Sequence, residues 1–301
     1  MKASVLMITY NHQDYIAQAI KSILSQITNF DFELIISNDC STDNSHEVIS
    51  KVIESNNKSV KIKYFNHIKN LGIHENFKHV HSMATGEYMA ICEGDDYWVD
   101  DCKLQKQIDF LDKYKDYSLC YTRFKTFYEK TKAFALDLNE EHFINNETAI
   151  EFNFKTLQKG WHIGNQTLVF RNSHFDYSVY LKYESVRDIH VLTHLLKNGK
   201  GKCLNFIGAV YRVHPSGIHS SATVYEGFKK GYECHKEIYL NNKGNQILKG
   251  RYLHSFQNFI RANIKEKKLL KAALLSVELF FLQMSVMSLL KNFRQILKIY
   301  S

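Results

Sequence analysis

Proline occurs once in 301 residues, as Pro215 in the loop-like stretch YRVHPSGIHSS, and no internal repeat or low-complexity segment interrupts the chain. A repeat array and a flexible interdomain linker are thereby excluded. The six cysteines (40, 92, 102, 120, 203 and 234) form no CxxC pair and no metal-ligand spacing. That excludes a zinc ribbon and argues against a disulfide scaffold. Cys40, Cys92 and Cys203 lie beside apolar or turn segments, where a reduced thiol acts as a small hydrophobe, as in a cytosolic protein. The opening MKASVLMITYNH lacks the longer apolar stretch and small-residue cleavage site of a secretory leader. Finally, no Lys or Arg lies between Tyr88 and Cys102, although that window holds five acids: Glu93, Asp95, Asp96, Asp100 and Asp101.

What is present begins with apolar residues, 45% of the chain, enough for a sizeable core in one large domain or one domain with an appendage. The net charge of +8 is unevenly placed. Residues 226–301 carry 14 basic and 5 acidic side chains, against 25 and 26 in residues 1–225. The excess positive charge therefore belongs to the tail and points to an anionic partner, a membrane surface or a nucleic acid.

Strand-like and helix-like segments alternate through the first third. Val5–Tyr10, Glu33–Ser37, Val60–Phe65 and Tyr88–Cys92 read as strands; His12–Ile27, His46–Glu54, Glu75–Ala84 and Lys103–Tyr114 carry helical apolar spacing. Further strands are expected at Leu119–Phe124, Gln166–Phe170 and Cys203–Ile207, with a helix near Ile189–Lys197. This order predicts an α/β fold, a mostly parallel sheet covered by helices, whose ligand crevice lies at the carboxyl ends of the strands. Thr9–Asn11, Asn38–Asp43 and Glu93–Asp96 all fall at such ends. Crowded carboxylates disfavour joint ionisation, and a divalent cation relieves this. The plain alternative is a solvated acidic loop capping the next helix.

Four segments in order, MITYNHQDYIAQAIKSILSQ, ELIISNDCSTDNS, NLGIHEN and GEYMAICEGDDYW, resemble the family 2 glycosyltransferases. The resemblance runs through roughly residues 3–115 and resumes at 184–220. It implies a GT-A fold with a Rossmann-like sheet: a glycosyltransferase domain over 1–225, with a nucleotide-sugar half at 1–115 and an acceptor half at 116–225. A basic amphipathic helical region follows at 226–301. It further implies a nucleotide-diphosphate donor, usually a UDP-sugar, and a divalent metal, Mn²⁺ or Mg²⁺, at a DxD-like motif. Here that motif is Glu93-Gly94-Asp95 followed by Asp96, with Glu where Asp is usual. Asp95 is then the first metal ligand, Glu93 a contact to ribose or a metal-bound water, and Asp96 shares either role. Thr9, Tyr10 and Asn11 border base and ribose, Asp39 accepts from the base imide N–H, and Asn70 and Gly72 close over the base. Asp39 and Asp43 also suit turn or cap roles.

Inverting transfer needs a carboxylate to take the acceptor's proton and positive charge for the departing diphosphate. The resemblance points to Asp188 as base, ahead of Glu184; Asp188 is also a natural helix N-cap. Arg212 is a fork donor for a diphosphate, His214 a third metal ligand or phosphate donor, and His219 a lesser candidate. Trp161, His162 and Glu184 are candidates for the acceptor pocket. The acceptor expected is a growing bacterial surface glycan or a lipid-linked precursor. A nucleotidyltransferase is disfavoured because TYNHQDY has no glycine where a phosphate loop would need it. A catalytically inactive nucleotide-sugar binder or scaffold is the alternative reading. A nucleic-acid partner is not expected, for lack of any zinc-finger or RNP pattern.

The tail, Arg261–Ser301, mixes basic residues with apolar runs, and between Ala272 and Leu290 the only charge is Glu278. A membrane-spanning helix is marginal. An interfacial helix pair on an anionic membrane, a helix closing the domain and a dimer interface all remain open. The expected location is cytoplasmic, peripheral at the inner face of the plasma membrane. Oligomeric state does not follow from the sequence.

Overall fold

The computed structural model describes residues 1–57, 59–135, 137–143, 149–156, 162–184, 187–217 and 223–300. Two compact units divide at Pro215/Ser216, ten residues before the boundary expected from charge.

Unit one begins β1 (Ala3–Thr9), α1 (Ile16–Leu24), β2 (Phe32–Asn38), α2 (Ser45–Glu54), β3 (Lys61–Asn66), α3 (Gly72–Ser82) and β4 (Tyr88–Ile91). It continues with β5 (Tyr97–Trp98), α4 (Lys103–Lys113), β6 (Tyr117–Tyr128), β7 (Ala133–Phe134), β8 (Ala149–Phe152), β9 (Val169–Arg171), α5 (Tyr177–Tyr180), α6 (Asp188–Asn198) and β10 (Lys200–Val213). The strands form one sheet in the order β3-β2-β1-β4-β9-β6-β10-β5, with β7 on β6 and β8 on β10. The first half is parallel, as short buried apolar strands joined by helices require. The second half is mixed. β9 runs antiparallel to both β4 and β6, and β5 and β8 run antiparallel to β10, while β6 and β10 are parallel. Helices α1 and α4 pack apolar stripes (Ile16, Ile20 and Ile23; Leu104, Ile108 and Leu111) onto the β1, β2 and β4 core.

The first helix starts four residues later than its spacing predicts. Asn11 adopts a left-handed backbone (φ 56°), and the backbone N–H groups of Asn11, His12 and Gln13 donate to side chains of Ser41, Ser45 and Asp43. Side-chain acceptors thus outbid helical ones at this turn. The result clamps the end of β1 to the loop after β2.

At the opposite edge a buried carboxylate ties four segments together. Glu33 of β2 accepts from Ser4 Oγ at 2.7 Å and from the Thr85 backbone N–H at 2.9 Å, and pairs with Lys63 Nζ at 2.9 Å. Burial alone would push its carboxyl up, but Lys63, Ser4 and Thr85 hold it down at about 2.

Unit two contains α7 (Val224–Leu240), α8 (Gln246–Lys265), α9 (Leu269–Gln283) and α10 (Val286–Tyr300). Thr223 and Glu226 exchange capping hydrogen bonds at the start of α7, and Asn245 caps α8. Its own core gathers Tyr232, Tyr252, Phe256, Phe259, Ala272, Leu279 and Ile296. Among the described residues, no helix is long and apolar enough to cross a membrane.

Because the Glu33 carboxyl is depressed in the folded chain, its contribution is present above the ordinary carboxylate pKa and is lost as pH falls toward 2. Lys63→Ala should lower stability by about 1.5–3 kcal/mol at neutral pH. Acid unfolding should then begin at a higher pH. Urea titrations between pH 7 and pH 3 check both outcomes.

Candidate functional site

The acids lie between the end of β4 and the start of α4, three before β5 and two after it, and the structure divides them into two groups. Asp100 accepts from the Cys102 N–H at 2.9 Å and pairs with Lys106 Nζ, and Asp101 takes Ser25 Oγ at 3.0 Å. Asp100 thus braces the turn that opens α4, and Asp101 ties that turn to the residue after α1. Glu93, Asp95 and Asp96 instead turn together, with one ligand atom from each within 4.8 Å of the others.

Two imidazoles join them. His214, just past β10, places Nε2 3.1 Å from Asp95 Oδ2, and His12, just past β1, places Nε2 3.6 Å from the same oxygen. His12 Nδ1 pairs with Thr9 Oγ1 at 3.2 Å, which leaves Nε2 turned to the acid. His12, Asp95 and His214 therefore form a second three-membered ligand set sharing Asp95 with the first. His12 is absent from the sequence-based candidates; its only signal is its place three residues beyond the end of β1.

The electrostatics are those of a site short of positive charge. Burial, with Asp95 and then Asp188 adding repulsion, pushes the Glu93 carboxyl up to about 7, against the Asn165 Nδ2 hydrogen bond at 3.3 Å. Burial beside Asp95 and Glu93 pushes Asp96 well above the usual range. Burial would raise Asp95 too, but the His214 hydrogen bond and nearby His12 hold it low. Burial lowers His12, favouring the neutral, lone-pair-bearing ring. Asp96 accepts from the Arg212 N–H at 2.8 Å through Oδ1, while its buried Oδ2 has no hydrogen-bond partner among the described residues. Carboxylate oxygens, imidazole nitrogens and an orphaned buried oxygen fit a divalent cation of the Mn²⁺ or Mg²⁺ class.

Arg212 requires a correction. Its guanidinium is not offered to a diphosphate. Its side chain is 4% exposed, and it lies between the rings of Tyr15 and Tyr97, 4.7 and 4.9 Å from their centroids. It donates to the Asp95 carbonyl at 2.7 Å and to Gln18 Oε1 at 2.6 Å, and lies 3.0 Å from Glu129. Both terminal nitrogens of the fork are engaged within the protein, so Arg212 positions the acidic loop from behind.

The remaining candidates distribute as follows. Gly94 packs so close to β1 that a Cβ would meet Thr9 Oγ1 at 2.6 Å and Ile16 Cδ1 at 2.9 Å. Tyr10 is 44% exposed at the end of β1, and Asn11 Oδ1 accepts from the Thr42 N–H at 2.8 Å. Asp43 accepts from Gln13 and Ser45 backbone N–H groups and so serves as a turn brace. Buried Asp39 accepts from the Leu71 and Gly72 N–H groups at 2.6 and 2.9 Å, and Asn70 Nδ2 donates to its carbonyl at 3.0 Å. This holds the loop opening α3, where Gly72 has φ +79°. Asp188 is the first residue of α6 rather than its cap, exposed, and near enough to raise Glu93. Glu184 is exposed. His162 is also exposed, its backbone N–H and carbonyl both paired with the Asn139 side chain. Trp161 and His219 lie outside the described residues.

Residues 4–180 match the family model described as "Glycosyl transferase family 2". An uncharacterized protein of Mycobacterium tuberculosis, Rv1520, is 39% identical over 129 residues, 42% of this chain; the match spans about a third of that relative, 36% of its length. The Escherichia coli protein WfaP, named as a UDP-Glc:alpha-D-GlcNAc-diphosphoundecaprenol beta-1,3-glucosyltransferase, is 25% identical over 224 residues, 72% of this chain and 80% of WfaP. Staphylococcus aureus TarS (residues 1–349), solved with UDP-GlcNAc, superposes with a TM-score of 0.62 at 18% identity, covering 100% of this chain and 91% of that one. At that identity the likeness speaks to the fold, which is GT-A.

Arg212→Met should cost roughly 3–5 kcal/mol of stability, because it leaves Glu129, the Asp95 carbonyl and Gln18 without their buried counter-charge. Arg212→Lys should recover only part of this, since a point charge cannot replace the fork. Chemical denaturation of the two variants beside the parent provides the check.

Proposed function

The chain belongs to glycosyl transferase family 2, and from that premise we propose that it moves a sugar from a nucleoside-diphosphate donor to a hydroxyl, with inversion at the anomeric carbon. The observation carrying this reading is the gathering of Glu93, Asp95, Asp96, His12 and His214 where β1 and β4 end. His12, Asp95 and His214 would hold a divalent cation, Mn²⁺ or Mg²⁺, with the orphaned Asp96 oxygen beside them. When bound, the cation offsets charge on the departing diphosphate. Two nitrogen ligands favour Mn²⁺ over Mg²⁺.

Exposed Asp188 takes the proton of the acceptor hydroxyl as its oxygen bonds to the anomeric carbon. The bond from that carbon to the diphosphate oxygen breaks, and its electron pair leaves with the nucleotide. One displacement gives one inversion. Glu93 meets the ribose or a cation-bound water, and Asn165 steers it. Asp39, which holds the loop at Leu71 and Gly72, would also accept from the imide N–H of the base. Thr9, Tyr10, Asn11, Asn70 and Gly72 border the nucleotide, with Glu184 and His162 toward the acceptor. The names of WfaP and the TarS complex support a UDP-sugar donor, and WfaP's name supports a lipid-linked glycan precursor as acceptor in bacterial surface polysaccharide synthesis. The proposed setting is the cytoplasmic face of the plasma membrane.

Thermal unfolding with UDP, GDP, CMP or dTDP, each with and without Mn²⁺, tests the donor site. One nucleotide should stabilise the chain only with Mn²⁺, by about 2.7 kcal/mol at a hundredfold excess over Kd. Asp95→Ala should abolish that gain. Asp188→Asn should keep it while turnover falls by about 10²–10⁴. Stabilisation by none of the four would favour the scaffold reading.

A further inference from the structure

Helices α9 and α10 bury one face and leave another open. In α9 the buried positions are Leu269, Ala272, Ser276 and Leu279. Leu270, Leu274, Val277 and Phe281 are exposed, Leu270 by 77% and Phe281 by 68%. Their spacing of four, three and four residues puts all four on one stripe of the helix. The turn to α10 adds exposed Met284, and α10 begins with exposed Val286 and Met287, the latter 78% open. Leu290 and Leu297 extend an exposed apolar row along α10, and beside it runs a second exposed row, Met287, Lys291, Arg294 and Lys298. Lys267, Lys268 and Lys271 stand exposed at the start of the α9 stripe. From Lys267 to Lys298 the only acid is Glu278, which lies 3.8 Å from Lys236.

We propose that the outer faces of α9 and α10 dock the protein onto an anionic phospholipid surface, with the apolar stripes at the acyl boundary and the basic rows among the headgroups. Both helices have 15 residues, so they lie in the interface rather than cross it. The charge pattern selects the occupant. A second copy would bring the same positive rows face to face, whereas an anionic bilayer offers negative headgroups above apolar chains. Lysine and arginine stems beside an apolar row can cover it while their charges reach the headgroups. This gives the membrane setting of the proposed function a specific surface, but it rests on residues apart from the acidic site and can fail independently of it.

The test is flotation of the full chain with vesicles of phosphatidylcholine alone or with added phosphatidylglycerol. The parent should float with the anionic vesicles, much less with the neutral ones, and less at high salt. The exposed double substitution L274E/F281E and the charge reversal K291E/R294E should each cut anionic binding at least tenfold. Both should keep the parent melting temperature and any nucleotide-dependent shift, so a misfolded variant is recognised. Absence of binding to anionic vesicles, or binding unchanged in both variants, would overturn the proposal. So would a parent dimer, seen by light scattering, that L274E/F281E converts to monomer. Nucleotide shifts in the same samples report on the donor site separately.

Discussion

Three carboxylates share one loop at the end of β4, and a buried guanidinium makes that loop tenable. Arg212 sits with its fork on the Asp95 carbonyl, Gln18 and Glu129, and its backbone N–H on Asp96. In a low-dielectric environment each of these contacts is stronger than it would be in water, and loss of any partner is correspondingly severe. The arrangement places permanent positive charge behind the acids. Their ligand atoms remain on the other side with the two imidazoles. The two flanking tyrosine rings exclude water from the guanidinium and add attraction to their faces.

The acids themselves show two uses of one residue type within nine positions. Asp100 pairs with Lys106 of α4 and accepts the Cys102 N–H, and Asp101 takes the hydroxyl of Ser25 just past α1. Burial drives Glu93 and Asp96 upward instead. Composition alone could not separate the pairs, because both lie in the same uncharged-to-acidic stretch. The divide follows from Gly94. Its close packing on Thr9 and Ile16 draws Glu93 to Asp96 in against β1, while the chain beyond Trp98 turns away toward α4.

Much of the architecture was legible because it is local. Short apolar runs such as Leu34–Ile36 and Met89–Ile91 announce buried strands, and the Ile16, Ile20 and Ile23 spacing announces a helix. The acidic cluster was legible as density of one charge. What escaped depends on contacts between distant residues. The antiparallel β9 is three residues long, and its direction is set by neighbours, not by any periodicity. His12 is one of 15 histidines, and only the approach of His214 and Asp95 distinguishes it. Arg212 matched the pattern of a phosphate-binding fork, yet the same fork satisfies carbonyl and amide oxygens equally well, and a motif does not say which it will meet. The apolar spacing placed the start of a helix at His12, but the His12 N–H goes to Ser45 Oγ, thirty-three residues away, and the helix begins only at Ile16.

The bond from the Arg212 N–H to Asp96 spans 116 residues of chain. During synthesis, the strands that carry the acids emerge long before the strand that neutralises them. Until β10 arrives, the acidic loop lacks the Arg212 guanidinium and backbone N–H that brace it. A split or circularly permuted version of this protein must keep residues 93–96 and 212–214 on fragments that meet early, or the acidic loop will be the first part to come apart.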